Sequence, residues 1–195
     1  QIVEHIYPYY SGNEAVSSKV RKENKSFIWR GDSKSCGLFG QQLFQSGGKY
    51  VTLVEGEVDA MSAYELMGSQ WPVISIRNGA QSADRDVKEN LEFLESFDNI
   101  IINFDNDQHG REAAKKVARL LRPGKAKIME MPVDYNDAND MLRAGPHKAY
   151  VHSWLNAKKY SPSGVLNVSD TLESYLTRTR TDSLPFPWEG LNQQL

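Results

Sequence analysis

The chain of 195 residues contains one cysteine, Cys36, and no apolar run approaching the roughly 18 residues that a membrane span requires. A single cysteine excludes an internal disulfide framework and a zinc site built from several cysteines. We expect a reducing compartment and a buried or half-buried thiol. The first residues do not resemble a signal peptide. With 39% hydrophobic and 25% charged residues, the composition is that of an ordinary globular protein.

A strong net charge is also lacking, since the sum is −2. The distribution is less even than the sum suggests. Between residues 19 and 34 there are six basic residues against two acidic ones, with Phe27 and Trp29 among them. Basic residues beside aromatic rings suit phosphate binding and base stacking. Lysines on an exposed edge strand also deter aggregation, and the residues alone do not decide between these interpretations.

Short β-branched runs alternate with helical patterns through the centre of the chain. Strands are predicted at residues 49–54, 72–76, 99–104 and 126–131, and helices at 57–67, 83–97, 108–121, 141–144 and 147–157. Strands that are apolar on both faces are typical of a parallel sheet covered by helices. The predicted fold class is therefore α/β, with a mostly parallel sheet flanked by helices.

Three segments are predicted along the chain. Residues 1–47 form a small mixed subdomain of short strands and turns, in which residues 25–30 are the clearest strand. Residues 48–160 form the main domain with its following helices. Residues 161–195 form a linker with a helix at about 169–179, which has too little apolar surface to be stable without docking on another domain or chain.

Acidic residues stand where two predicted core strands end. Glu55 follows the first strand, and Asp105 and Asp107 follow the third. The carboxyl ends of parallel strands form the crevice where ligands bind. Carboxylates gathered there repel one another unless a cation joins them, and oxygen ligands suit Mg²⁺ or Mn²⁺. The alternative is that they cap helices, which is also the interpretation of Glu57 and Asp59, to which we assign no catalytic role.

Other residues near the same crevice are weaker candidates for a functional role. Asn78 and Gly79 end the second strand, and glycine permits a ligand to approach the backbone. Asp137 on its own would be interpreted as a helix N-cap. His109 is expected at the surface or at a helix start, because a site of hard oxygen ligands does not favour imidazole.

Several motifs together carry a family resemblance. Residues 54–56, Val-Glu-Gly, and 104–110, Phe-Asp-Asn-Asp-Gln-His-Gly, resemble the TOPRIM domain of primases and topoisomerases. Residues 19–29, 37–40, 47–49 and 136–139 are similar, in order and spacing, to the bifunctional primase–helicases of short-tailed bacteriophages, whose mitochondrial relative is the Twinkle helicase. The resemblance covers the chain from about residue 20 to its end.

The resemblance implies a DNA primase polymerase core that makes short RNA primers on single-stranded DNA by divalent-metal-dependent nucleotidyl transfer. It implies catalytic roles for Glu55, Asp105 and Asp107, and a metal site of these three with Asp137. The residues implied in contacts with nucleotide phosphates or template are Lys19, Arg21 and Lys25, with Asn78 and Gly79 in the same crevice.

The resemblance also implies partners and a setting. The partners are a single-stranded DNA template, ribonucleoside triphosphates and a helicase domain of the same polypeptide, with no membrane. We expect that helicase motor and the family's four-cysteine zinc module to be absent from this chain, which has no GxxxxGK[ST] motif and one cysteine. The expected location is the cytoplasm of a phage-infected bacterium, or a mitochondrion or other organelle if the chain is Twinkle-like.

Two alternatives remain open on the sequence. A TOPRIM nuclease or topoisomerase would use the same metals to break a phosphodiester bond. A degenerate Twinkle-like module would bind single-stranded DNA without catalysis, although all the acidic motif residues are present here.

Overall fold

A computed structural model of the chain describes residues 3–162, which contain two separate sheets. The first is antiparallel, with strand order β1-β2-β3, and consists of β1 (Glu4–Ser11), β2 (Glu14–Lys22) and β3 (Phe27–Gly31). Tyr7, Lys19 and Trp29 lie opposite one another across its strands and therefore share a face. The strand predicted at residues 25–30 begins only at Phe27, because Lys25 adopts a positive φ of 64° in the preceding turn.

The second sheet confirms the predicted α/β class with a mostly parallel sheet. Its order is β5-β4-β6-β7-β8, in which the first four strands are parallel and the last is antiparallel to its neighbour. The strands are β4 (Gly48–Val54), β5 (Val73–Ser75), β6 (Phe97–Asn103), β7 (Ala126–Ile128) and β8 (Lys158–Lys159).

Six α-helices accompany this sheet within the described residues. They are α1 (Glu57–Leu66), α2 (Ala83–Glu89), α3 (Leu91–Glu95), α4 (Gln108–Ala118), α5 (Ala138–Ala144) and α6 (His147–Leu155). The single helix predicted at 83–97 is divided at Asn90, whose side-chain amide donates to the carbonyl of Asp86 at 2.8 Å. The helix predicted near residue 169 lies outside the described residues.

Both faces of the main sheet are covered, which explains why its strands are apolar on both sides. Val51 and Leu53 belong to the core that includes α2, α3 and α4, whereas Val54 belongs to the core that includes α1, α5 and α6. Two buried polar pairs in the second core are hydrogen-bonded: Trp154 donates to Thr52 at 2.9 Å and Tyr150 donates to Asn103 at 2.7 Å.

The small sheet packs on the main body through aromatic side chains. The ring of Tyr9 lies 4.8 Å from Trp29 and 5.6 Å from Phe39, between centroids. Val58 of α1 packs against the same cluster, and Cys36 within it is 4% exposed, as expected for a buried thiol. The inner face of the small sheet is thereby held close to the N-terminus of α1. In the described part of the chain, no helix is both long enough and apolar enough to span a bilayer.

Candidate active site

A cleft of about 460 Å³ opens between the small sheet and the carboxyl ends of the main-sheet strands. One wall comes from the small sheet and the other from the segments that follow β4, β5 and β6. The lining residues are Lys19, Phe27, Trp29, Glu55, Gly56, Glu57, Asp59, Asn78, Gly79 and Asp105. The cleft therefore lies at the strand ends, where the topology of parallel sheets places ligand sites.

Glu55 is the first acidic residue after β4. Its Oε1 accepts a hydrogen bond from the backbone N–H of Ala80 at 3.0 Å. Its Oε2 is buried and makes no hydrogen bond of ordinary geometry among the described residues. Burial raises the pKa of the Glu55 carboxyl group, although the backbone N–H groups of Ala80 and Asp105 oppose the shift. A buried carboxylate oxygen without a donor is unfavourable unless a cation or a proton satisfies it.

Asp105 follows β6 and lies on the same side of the cleft. Its Oδ2 accepts a hydrogen bond from the side-chain amide of Asn136 at 3.2 Å. Burial, and then the charges of Glu55, Asp137 and Asp107, raise the pKa of Asp105 to about 7. Like charges that raise a carboxyl pKa must be close in space. Asp105 therefore lies within electrostatic range of Glu55, Asp107 and Asp137, which come from separate parts of the sequence.

Asp107 and Asp137 have a structural function in addition to their place near Asp105. Each is the N-cap of a helix: Asp107 accepts from the N–H of Gly110 and Asp137 from the N–H of Asp140, both at 2.7 Å. Helix capping, the alternative considered from sequence, is therefore present for these two residues. A cap uses only Oδ1, so it does not exclude a second ligand on the other oxygen of each carboxylate.

Asp59, which sequence reasoning set aside, belongs to the acidic group. Burial, and then the charges of Asp137 and Asp105, raise its pKa to about 7. Its side chain lies against the turn before α1, where a Cβ on Gly56 would stand 2.7 Å from Asp59 Oδ2. The four-residue interval from Glu55, spanning a strand end and the first helical turn, is the signal that could have found it.

The acidic residues share one edge of the sheet without forming a closed coordination shell. Within residues 3–162, no three acidic, histidine or cysteine side chains converge closely enough to enclose an ion. The donor set nevertheless fits Mg²⁺ or Mn²⁺, because it consists of carboxylate oxygens and includes the unsatisfied Oε2 of Glu55.

The predicted basic residues occupy three different environments. Lys19 is 8% exposed, and its Nζ lies 2.8 Å from Glu57 Oε1 and donates to the carbonyl of Arg77 at 2.7 Å. Arg21 is half-buried farther along β2. Lys25 is exposed in the turn before β3 and does not line the cleft. Only Lys19 therefore extends into the cleft.

Glu57 connects the two walls of the cleft. Its Oε1 accepts a hydrogen bond from the hydroxyl of Tyr9 at 2.6 Å as well as the ion pair with Lys19. Glu57 is 4% exposed, so its charge needs this compensation. Burial and the Glu57 charge raise the pKa of Tyr9, which keeps the phenol protonated as a donor. No local sequence pattern indicates this contact, because the two residues are 48 positions apart.

The loop after β5 places Asn78 and Gly79 at the cleft. Asn78 Oδ1 accepts from the indole N–H of Trp29 at 3.2 Å, which ties this loop to the small sheet. Gly79 has a φ of 73°, and a Cβ there would lie 3.6 Å from Glu55 Oε1. The preceding residue, Arg77, is buried in an ion pair with Asp86 at 2.8 Å. A buried charge pair outside the cleft thus supports the loop that contacts Glu55.

The raised carboxyl pKa values predict how stability depends on pH. Asp59 and Asp105 have native values of about 7 against an ordinary 3.8, so the folded protein binds more protons between these limits. Their contribution to stability is complete below about pH 4 and is lost as the pH rises through about 7. We expect the melting temperature without divalent metal to fall by roughly 3–10 °C from pH 5 to pH 8.

Calorimetry in EDTA and in excess Mg²⁺ measures this effect. Mg²⁺ should reduce the fall, because a bound cation replaces the proton as the partner of the carboxylates. The matched variant is Asp59→Asn, which should flatten the dependence in EDTA. A wild-type melting temperature that rises steadily over this range in EDTA would contradict the expectation.

Comparison with known proteins identifies the class. The family described as Toprim-like matches residues 52–142. The DNA helicase/primase of Enterobacteria phage T3 is 36% identical over 183 residues, which are 92% of this chain and 32% of the T3 protein. The chain thus spans about a third of the length of that relative.

Two solved structures from bacteriophage T7 match as well. The crystal structure of the primase fragment of the T7 primase–helicase superposes with a TM-score of 0.71 at 34% identity, covering 77% of this chain and 61% of that one. A primase domain of that T7 protein, solved with the lagging-strand DNA polymerase, gives 0.74 at 33% identity, covering 80% and 79%.

The fold and the acidic sheet edge define a Toprim-like α/β domain. Within this class, the chain is more than 30% identical to the T7 primase domain over most of that domain's length. The chain belongs to the family of primase domains found in phage primase–helicases.

Proposed function

We propose that this chain is the polymerase core of a DNA primase that synthesises short RNA primers on single-stranded DNA. The observation that carries the proposal is the buried, unsatisfied Oε2 of Glu55 beside Asp105, in a cleft whose opposite wall presents Lys19. Acidic oxygens on one side and a cation on the other suit a triphosphate with its bound metal. The homology to primase domains of phage primase–helicases supports this activity over others of the same fold.

The reaction joins two ribonucleotides. The 3′-hydroxyl of one attacks the α-phosphorus of the next, a new O–P bond forms, and the bond to the pyrophosphate leaving group breaks. Glu55, Asp105, Asp107 and Asp137 would hold one or two Mg²⁺ or Mn²⁺ ions. Such ions, when bound, neutralise the charge that develops on the phosphoryl oxygens during in-line displacement.

The other residues of the cleft are assigned roles from their position in it and from the chemistry of their side chains. As an alternative to binding a metal ion, Glu55, whose pKa is raised by burial, is suited to accept the proton of the attacking hydroxyl. Lys19 neutralises triphosphate charge from within the cleft, while Arg21 and Lys25, farther out, bind the backbone of the template. Asn78 and Gly79 leave room for the nucleotide to approach the backbone beside Glu55.

A primase of this kind would bind nucleic acid and nucleotides and would be joined to a helicase domain. The T7 relative was solved with an RNA/DNA hybrid and dTTP, which supports single-stranded DNA and ribonucleoside triphosphates as ligands here. We assign residues 1–47 to a basic subdomain, 48–160 to the Toprim domain, and 161–195 to a linker leading to a helicase domain of the same polypeptide. A phage source would place the protein in the cytoplasm of the infected bacterium.

Primer extension tests the proposal most directly. We expect the chain, with Mg²⁺, ribonucleoside triphosphates and a single-stranded template, to extend a supplied diribonucleotide and to stop when EDTA is added. Supplying the diribonucleotide removes the need for a trigger sequence in the template. Supercoiled plasmid serves as the control substrate and should remain intact under the same conditions.

The other outcomes separate the alternatives. Nicking of the plasmid without extension would favour a Toprim nuclease. Binding of single-stranded DNA that survives EDTA, with no extension at any metal concentration, would favour the non-enzymatic module.

A further inference from the structure

Phe27 differs from the other aromatic residues of the small sheet in its exposure. It is the first residue of β3, lines the cleft, and remains 48% exposed. Trp29, two residues later on the same face, packs 4.8 Å from Tyr9 and donates its indole N–H to Asn78. Phe27 belongs to none of the apolar clusters among residues 3–162. Trp29 is therefore occupied in packing, whereas Phe27 packs in no apolar cluster and borders the cleft with much of its surface exposed.

Two cations flank the Phe27 ring. Lys19 Nζ lies 4.6 Å from the ring centroid, and the guanidinium carbon of Arg21, directly opposite on β2, lies 5.7 Å from it. Cations at these distances are attracted to the ring face and restrict its orientation. Lys19 is already paired with Glu57, so the net positive charge beside the ring comes from Arg21. An anionic ligand that carries a flat π system matches both features, and a nucleotide is such a ligand.

If Phe27 had only a structural function, its side chain would be less exposed than it is. A ring that only covered the aliphatic stems of Lys19 and Arg21 would bury most of its own surface against them. Nearly half of the surface of Phe27 is exposed instead, and the residue lines a cleft that also contains Glu55 and Asp105. Other exposed apolar residues, such as Leu43 and Leu155, do not border this cleft.

We propose that Phe27 is a stacking platform for a nucleobase, positioned so that the attached phosphates extend past Lys19 toward the acidic residues. The inference deepens the proposed function and depends on it, since it assigns the base of a nucleotide held in the same cleft. Stacking on an aromatic ring tolerates every base, because each has a π face. Phe27 therefore contributes affinity without selecting sequence.

A leucine and a tryptophan at position 27 separate stacking from apolar contact. Phe27→Leu keeps an apolar side chain without a π face, and Phe27→Trp keeps the ring. We expect Phe27→Leu to weaken nucleotide or DNA binding by about 5- to 150-fold, the range for losing one stacked base. Phe27→Trp should remain within about threefold of the wild type. Ile28→Ala, which changes the next residue on the same strand and does not line the cleft, is the matched control.

Two measurements distinguish the source of the base. One is the KM and kcat for ribonucleoside triphosphate in diribonucleotide extension, and the other is equilibrium binding of a labelled oligothymidylate. A rise in KM alone identifies the incoming nucleotide as the stacked ligand, whereas weaker oligothymidylate binding alone identifies a template base.

The stacking proposal would be wrong if the leucine variant, the tryptophan variant and the wild type had the same kinetic constants and the same affinity for oligothymidylate. An equal loss in both variants would overturn it as well, because the ring would then not be the determinant. If the wild type extends no primer, the proposed function fails independently. Binding of a fluorescent ribonucleotide and of oligothymidylate then still decides whether position 27 stacks a base.

Discussion

Asp105→Asn is expected to reduce primer extension by about 10²- to 10³-fold or more while leaving the protein as stable as the wild type or more stable. The substitution keeps the size of the side chain and removes a negative charge. Burial and three neighbouring carboxylates raise the pKa of Asp105 to about 7, so its ionised form is unfavourable in the metal-free protein. Asparagine relieves that repulsion but cannot serve as a charged ligand for a divalent cation.

Two measurements should therefore move in opposite directions in this variant. The rate of diribonucleotide extension falls, and the melting temperature in EDTA at pH 8 stays the same or rises. Added Mg²⁺ should raise the melting temperature of the wild type and not that of the variant.

Asp134→Asn is the matched control, since it neutralises an exposed acidic residue in the neighbouring loop. It should change neither measurement. Extension by Asp105→Asn within tenfold of the wild type would exclude Asp105 from the metal site. Lost activity together with a large fall in melting temperature would instead indicate that Asp105 is needed for folding.

The part of this site that could be predicted from sequence depends on local patterns. Glu55 and Asp105 each follow a short apolar strand. In a parallel sheet, the carboxyl ends of the strands lie at the same edge. Asp59 could not be assigned in this way, because an acidic residue in a first helical turn is usually explained by the helix dipole. Its membership depends on a side chain turning back over Gly56, which is a property of the folded turn.

The other features of the site that could not be predicted from the sequence depend on contacts between residues far apart in the chain. Lys19, Arg21 and Lys25 are equivalent as members of a basic segment. The structure separates them, because β2 directs Lys19 toward Glu57 while a turn with positive φ carries Lys25 away. The pair of Arg77 and Asp86 was also missed, since charged residues are expected at the surface unless they are paired.

Asp86→Ala is expected to cost about 3–5 kcal/mol of stability, the usual effect of removing one partner from a buried ion pair. Asp86 is fully buried and Arg77 is 3% exposed. Truncation leaves the guanidinium with Glu89, whose side chain is 48% exposed, as its remaining carboxylate partner. The Asp86 carboxylate also accepts the backbone N–H of Arg77 at 2.8 Å, and that hydrogen bond is lost as well. For a domain of this size the melting temperature should fall by about 6–20 °C.

The control lies two residues earlier on the same helix. Asp84 pairs with Lys88 and Lys116, whose side chains are 56% and 57% exposed, so Asp84→Ala should cost only about 0–1 kcal/mol. Denaturant unfolding of both variants measures the difference. Equal losses would mean that burial of the Arg77 pair contributes nothing beyond a surface ion pair.

The same variant connects stability with function. The carbonyl of Arg77 accepts from Lys19, and the N–H of Ala80, three residues on, donates to Glu55. Loss of Asp86 should therefore loosen both walls of the cleft, and primer extension should fall even at temperatures where the variant is folded. Asp84→Ala should keep full activity there. If Asp86→Ala is destabilised yet fully active while folded, the pair supports the fold alone, and Glu55 is held in place by contacts within its own strand and turn.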